Sequence, residues 1–441
     1  MRLNQAKCLF LVKFLFYVKF FGKCSVLFFS LNYCCKNKYY IFAALNFGKI
    51  MIKLLRLFVL LTVLVVVSEN VMAQATTSGA NTITTAVPFL SITPDSRAGG
   101  MGDAGVALTP DVSSQHWNAA KYVFMESDMG VGLSYSPWLR NLVNDINLAY
   151  LSGYKKLDDV QAISASLRYF SLGDIVFTSE FGEIQGQQSP NEFAIDFGYS
   201  RLLSETFSGA VAIRYIRSDL TGGQLVNGVE THAGNSFATD VAFYYHNEFR
   251  ANRKDNIFSA GINIQNIGAK ISYTDGEVKD FLPTNLMLGA AYTTELDEYN
   301  SFTFSFEANK LLVPTPPVDS TIYDPGGVIL PGGINSDIGP IAGIFKSFAD
   351  APGGFKEEMQ EISFGVGVEY WYNKQFSIRG GYFYEHENKG NRKYFTAGAG
   401  LRLNVFGLDF SYLLPTQRNH PLENTLRFTL SFDVDAFGNQ R

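Results

Sequence analysis

Cysteine is absent from this 441-residue chain after position 35; the four present, Cys8, Cys24, Cys34 and Cys35, crowd into its amino terminus. The remaining chain therefore has no disulfide, no thiolate nucleophile and no cysteine-based metal centre. Histidine is nearly as scarce. His116, His232, His246, His386 and His420 are scattered with no pair at ligand spacing, so no metal site and no cofactor are expected. Ser363 or Ser377 can be set beside His386 on paper, but no orienting third residue is spaced to complete a hydrolase, and the chain reads as a non-enzyme. Positive charge is also short. Residues 1–73 hold ten basic and one acidic residue, and without them 26 basic and 40 acidic residues remain, a net charge of −14. Nucleic-acid affinity comes from cancelling phosphate charge, so nucleic acid is excluded as a partner. There is also no unbroken apolar run of the roughly 20 residues that a membrane-spanning helix requires.

Aromatic residues are plentiful, at 15%, and suit a protein with aromatic girdles at two membrane interfaces. Met51–Ala73 reads as a Sec-type signal peptide. Lys53 and Arg56 form its charged start, Leu57 to Val67 its apolar run, and Val71-Met72-Ala73 a small-residue cleavage site before Gln74. Residues 1–50 are then an upstream extension outside the mature protein. Lys13, Lys19 and Lys23 interrupt them too often for an inner-membrane segment.

Beyond residue 129 apolar and polar residues alternate repeatedly. Val131, Leu133 and Tyr135 share one face, and so do Phe193, Ile195, Phe197 and Tyr199, then Phe302, Phe304 and Phe306, and finally Leu426, Phe428, Leu430 and Phe432. About fourteen such segments can be counted if Ala162 to Phe181 is one long strand kinked at Gly173. Period two over segments of about 10 residues predicts an all-β, transmembrane antiparallel barrel over residues 130–434. Short connections, such as those near Lys155 and Asn373, alternate with longer ones at 182–191, 218–236, 266–283, 311–360, 385–392 and 414–424; the connection at 247–255 reads as intermediate. Short turns face the periplasm and long loops the outside. Trp138, Tyr154, Tyr199, Tyr245, Trp371 and Tyr412 sit near strand ends and are expected in the girdles. Polar strand positions, among them Arg168, Asp196, Arg214, Asp240, Glu307, Glu369, Arg379, Arg402 and Asp409, are expected as a solvated charge ladder in the lumen.

Residues 74–129 have little periodicity. Pro88, Pro94 and Pro110 break any long helix, and Gly99-Gly100-Met101-Gly102 needs a freely bending backbone. The segment reads as a plug in the barrel mouth, with Arg97 and Asp103 paired to charges on the inner wall. Gly100-Met101-Gly102-Asp103-Ala104-Gly105 fits a dinucleotide fingerprint, but it lacks the preceding strand and βαβ unit that the fingerprint needs.

The blocks Ala86-Val87-Pro88-Phe89-Leu90, Pro94-Asp95-Ser96-Arg97-Ala98-Gly99-Gly100-Met101-Gly102 and Gln115-His116-Trp117-Asn118 resemble the amino-terminal signature of the PorV family, within the wider FadL-like barrels. Tyr135-Ser136-Pro137-Trp138-Leu139-Arg140 and Asp145-Ile146-Asn147-Leu148-Ala149-Tyr150-Leu151 resemble it too. Where FadL-like plugs often carry Asn-Pro-Ala, this chain has Asn118-Ala119-Ala120. The resemblance implies an outer-membrane component of the type IX secretion system. Such a protein takes the C-terminal domains of secreted cargo from a giant SprA-like translocon barrel. It then delivers them to a sortase-like attachment complex. It also implies fourteen strands and a plug built on Pro88, Phe89, Arg97, Gly99, Gly100, Gly102, Asp103, Trp117 and Asn118.

Residues 311–360 form the least barrel-like stretch. Val313-Pro314-Thr315-Pro316-Pro317 is stiff and extended, and Ile341 to Phe345 with Phe348 form a short apolar piece. An outward loop carrying apolar residues is a partner surface or a lid, and Pro314, Pro317, Ile341, Phe345 and Phe348 are its expected contacts. The rival reading is a FadL-like importer of fatty acids or other hydrophobic solutes, with ligand at Pro88-Phe89-Leu90, a side exit at Gly173 and outer-membrane lipid as the surrounding partner.

Overall fold

The computed structural model describes residues 14–20, 23–29 and 81–434, except 141, 142, 144, 179–183, 224, 227, 228, 252, 276–278, 316–337 and 419. It divides into two units, Met1–Ser78 and Gly79–Arg441. In the first, strands Phe14–Phe20 and Lys23–Phe29 pair as a hairpin. The signal peptide expected at 51–73 lies outside the described residues.

The second unit is the barrel. Its strands are β1 Met129–Pro137, β2 Ile146–Asp158, β3 Gln161–Leu172, β4 Asn191–Ser204, β5 Phe207–Asp219, β6 Gly234–Ala251 and β7 Lys254–Gly268. They continue as β8 Asn285–Glu295, β9 Asn300–Leu311, β10 Ile362–Tyr372, β11 Phe376–Tyr384, β12 Lys393–Arg402, β13 Phe406–Pro415 and β14 Leu426–Asp433. Each pairs antiparallel with its sequence neighbour, and β14 returns to β1 through pairs such as Leu430 with Leu133. Closure satisfies every strand's backbone and leaves no edge, as a lipid-embedded sheet requires. Odd-numbered Ile213, at 60% exposure, and Phe237, at 69%, face outward, while Arg214 and Asp240 between and beside them are buried inward. An outer wall this apolar is stable only against lipid. Among the described residues no helix is long and apolar enough to cross a membrane; the strands do the crossing.

Three expectations are corrected. The stretch from Ala162 does not continue as one strand to Phe181. β3 ends at Leu172, Gly173 turns the chain at φ +80°, and Ile175–Thr178 pairs with Ile184–Gln188 as a separate hairpin outside the barrel sheet. Alternation reports which face a residue takes, not which sheet it joins. The connection at 247–255 is short because β6 and β7 pair down to Ala251 with Lys254. Tyr154 and Trp371 are not girdle residues. Tyr154 is buried inward and stacks on Tyr122 at 5.0 Å, and Trp371 lies inside against the Arg379 guanidinium at 5.4 Å.

Candidate functional site

The lumen is filled by residues 81–128. The filling segment begins at the long-loop rim, where the Ala86 amide donates to the Phe281 carbonyl at 3.0 Å. It ends at the short-turn rim, where the Lys156 ammonium donates to the Met125 carbonyl at 3.2 Å. Its secondary structure is short because its partners are the wall. A one-turn helix α1, Ser96–Gly99, is capped by Asp95, whose carboxylate accepts from the Ala98 amide at 2.9 Å and from the Trp117 indole at 2.6 Å. A second, α2, spans Ser114–Trp117. Asn118 caps the following 3-10 turn through Ala120 N at 3.0 Å and donates to the Phe243 carbonyl at 2.9 Å. A capping side chain thus fixes the turn that proline often fixes.

Charge locks the segment in place. Arg97, buried on α1, donates to both carboxylate oxygens of Glu369 on β10 at 3.1 and 3.0 Å, to Asp111 at 3.1 Å and to Thr109 Oγ1 at 2.7 Å. Glu369 also accepts from Arg379 at 2.7 Å, and Arg379 donates to Asp409 at 2.6 Å. Asp103 accepts from the Tyr394 hydroxyl at 2.5 Å and lies 3.6 Å from the buried Arg427. On the opposite wall Arg214 bridges Asp196 and Asp240, and Arg168 donates to the Leu90 carbonyl and meets His116 Nδ1, each at 2.6 Å. Glu307 accepts the amides of Gly105 and Val106 at 2.7 and 2.8 Å. The expected solvated ladder is therefore buried. Of its nine residues all but the partly exposed Arg402 are buried, and most bond the plug or one another, because the plug covers the inner wall.

A second lock is steric, and the sequence reading missed it. The Gly102 backbone lies so close to β10 and β11 that a Cβ there would meet Val366 O at 2.5 Å and Tyr382 O at 2.7 Å, at φ +71°. From the wall side, a Cβ on Gly381 would meet Gly102 N at 2.1 Å, and one on Gly367 would meet Met101 O at 2.4 Å. The signal was present as glycines at inward strand positions: Gly365, Gly367, Gly381 and Gly398.

The other expected residues scatter. Phe89 is buried and stacks with Phe170 at 6.3 Å, Pro88 is exposed, and Gly99, Gly100 and Trp117 are buried. Pro314 is half-buried under a helix α3, Pro340–Lys346, and Pro317 lies outside the described residues. On α3 and just after it, Ile341 at 58%, Phe345 at 75% and Phe348 at 50% are exposed. The next helix, α4 Phe355–Gln360, was not anticipated. It exposes Phe355 and Met359 and turns its carboxylates to the barrel. Glu358 accepts from Lys310 at 3.0 Å, and Lys389 donates to Glu357 at 2.7 Å and to Glu361 at 3.0 Å. A cavity of about 120 Å³ lies between plug and rim, with Ile83, Met287, Phe383 and Tyr394 in its lining. Ser377 starts β11 and His386 follows its far end, so they do not meet. Among the described residues no His, Asp and Glu cluster could hold a metal.

A family model described as Type IX secretion system protein PorV matches residues 74–318. The chain belongs to the PorV family. Type IX secretion is therefore the process it takes part in, as a barrel of a non-enzymatic, outer-membrane family. Among solved structures, the P. putida toluene transporter TodX is similar at 11% identity and a TM-score of 0.44, covering 77% of this chain and 97% of TodX. The CymD monoaromatic hydrocarbon channel is similar at 12% and 0.41, with coverage of 77% and 97%. A Pseudomonas aeruginosa FadL homologue is similar at 10% and 0.39, with coverage of 80% and 100%. No curated protein matches the chain.

Proposed function

We propose that this PorV-family barrel is a closed platform: it binds the C-terminal domain of secreted cargo at the translocon and carries it to the surface attachment complex. The observation that carries the reading is the buried Arg97–Glu369–Arg379–Asp409 chain. A lumen locked by paired charges and glycine contacts passes nothing as large as a folded domain. The work then falls to the long loops at 218–236, 266–283 and 311–360, where Ile341, Phe345 and Phe348 are presented to solvent. Exposed aromatic side chains of this kind form binding hot spots. The partners of the reading are cargo C-terminal domains, a giant SprA-like translocon barrel and a sortase-like complex. Gentle solubilisation of the tagged mature protein from its native membrane, followed by mass spectrometry, tests it: those proteins co-purify, or the reading fails.

The importer reading draws on the cavity under the rim, where apolar Ile83, Met287 and Phe383 stand among polar and charged residues such as Asp103, Glu385 and Arg392. Its mark is loss of fatty-acid or hydrocarbon uptake on deletion, with secretion intact.

A further inference from the structure

The rim helix α4 is amphipathic in the inverse sense. On α4 the acidic side chains Glu357 and Glu358 are drawn against the barrel by Lys389 and Lys310, while Phe355 and Met359, one turn apart, point away from it. A helix in water turns its apolar stripe to the core, so the medium facing Phe355 and Met359 is apolar. Its position identifies that medium. α4 ends two residues before Ile362, the first residue of β10, whose outward positions continue as Phe364, Val366 and Val368. Lys310 occupies an outward position on β9, next along the same face after Phe302, Phe304, Phe306 and Ala308, and pairs in register with Ile362. It stands one alternation above the apolar wall, and outward Arg217 on β5 and Lys393 on β12 likewise lie at the long-loop ends of their strands. Outward lysine and arginine at the ends of membrane-spanning strands reach to the headgroup level.

We infer that α4 is an interfacial helix, seating Phe355 and Met359 in the outer leaflet beside β9 and β10. Lys310 and Lys389 hold it there from behind, and Lys356 sits at the lipid phosphates. The occupant of this face is the lipid surface itself, continuous with the lipid already covering the strands. Short amphipathic helices bind at this boundary through aromatic side chains flanked by lysine. The seat fixes the height of the loop that carries Ile341, Phe345 and Phe348. It goes beyond the secretion role and depends only on the barrel lying in a membrane.

The cysteine-free mature chain makes the test clean. Single variants F355C and M359C are labelled with an environment-sensitive fluorophore and refolded into vesicles of phosphatidylethanolamine and phosphatidylglycerol, with and without brominated acyl chains. F237C, on the lipid-facing wall, and D275C, on an exposed loop, serve as references, and F237C separately reports whether the barrel has inserted. The expected result is a blue-shifted emission and bromine quenching at 355 and 359 approaching the F237C values. Spectra and quenching like those of D275C, with F237C quenched, overturn the inference and leave the face for a protein partner. Two label sites guard against one variant failing to fold.

Discussion

Replacing Arg97 by alanine removes the contacts that tie α1 to the wall: two hydrogen bonds to Glu369, one to Asp111 and two to Thr109. Breaking a buried ion pair by deleting one partner costs about 3–5 kcal/mol, because the other charge is left bare. Here the remaining charges keep other partners. Glu369 still accepts from Arg379 at 2.7 Å, and Asp111 still accepts from the Ser113 amide at 2.9 Å. The cost therefore falls at the low end, about 3 kcal/mol. At 1.4 kcal/mol per tenfold, the plug's local opening becomes roughly 150 times more populated. Hydrogen exchange of amides 95–106, with strand amides as the internal reference, reads that change. E369A should open the plug further, since it leaves Arg97 and Arg379 facing each other with one carboxylate fewer. The paired apolar variant R97M/E369L should restore much of the protection, because well-packed apolar residues replace a buried pair at little cost. Exchange in R97A within about threefold of wild type would mean that this ion network does not hold the plug.

Three further outcomes are expected. Gly381→Val directs its side chain at the plug, and overpacking costs about 1–3 kcal/mol or more. It should raise bilayer conductance, whereas the adjacent Gly380→Val faces lipid, where a Cβ meets nothing nearer than 3.9 Å, and should leave conductance unchanged; equal effects would discard the glycine lock. Exposed Phe345 and Phe348 replaced by aspartate should leave folding intact and weaken partner binding about 30-fold if they are hot spots worth 2 kcal/mol; unchanged secretion would remove them from the interface. Acid should release α4. Burial alone would raise Glu357 and Glu358, but Lys389 and the Gly353 amide hold the first, and the Ala351 amide and Lys310 the second, below the ordinary 4.5. A lowered folded pKa contributes stability above the unfolded value that is lost as pH falls through the folded one. A spin label at position 359 should be immobile at about pH 6 and mobile at about pH 3; equal mobility at both refutes the electrostatic hold.

Much of the wall was legible in the sequence because period-two alternation is a local property: most strand residues declare their face through their own polarity, although Leu148, Tyr150 and Tyr244 are apolar and buried inward. Fourteen strands, their antiparallel order, the split between short and long connections and the apolar exterior all follow from that code. The Gly173 hairpin escaped it, since sheet membership depends on neighbours distant in sequence; Tyr154 and Trp371 share the inward alternation of Ser152 and Glu369, and only their residue type suggested a girdle. The plug shows the same division. Its prolines and glycines excluded long helices, and Arg97 and Asp103 stood out as charges needing partners. Only the closed barrel could decide which partners, because Glu369 and Arg427 lie 272 and more than 300 residues further along. It also decided that the charge ladder is buried, as burial depends on how completely one surface covers another. The outward face of α4 is likewise a tertiary fact: Phe355 and Met359 next to two glutamates read as an ordinary amphipathic turn until Lys310 and Lys389, from two other parts of the chain, claim the acidic side.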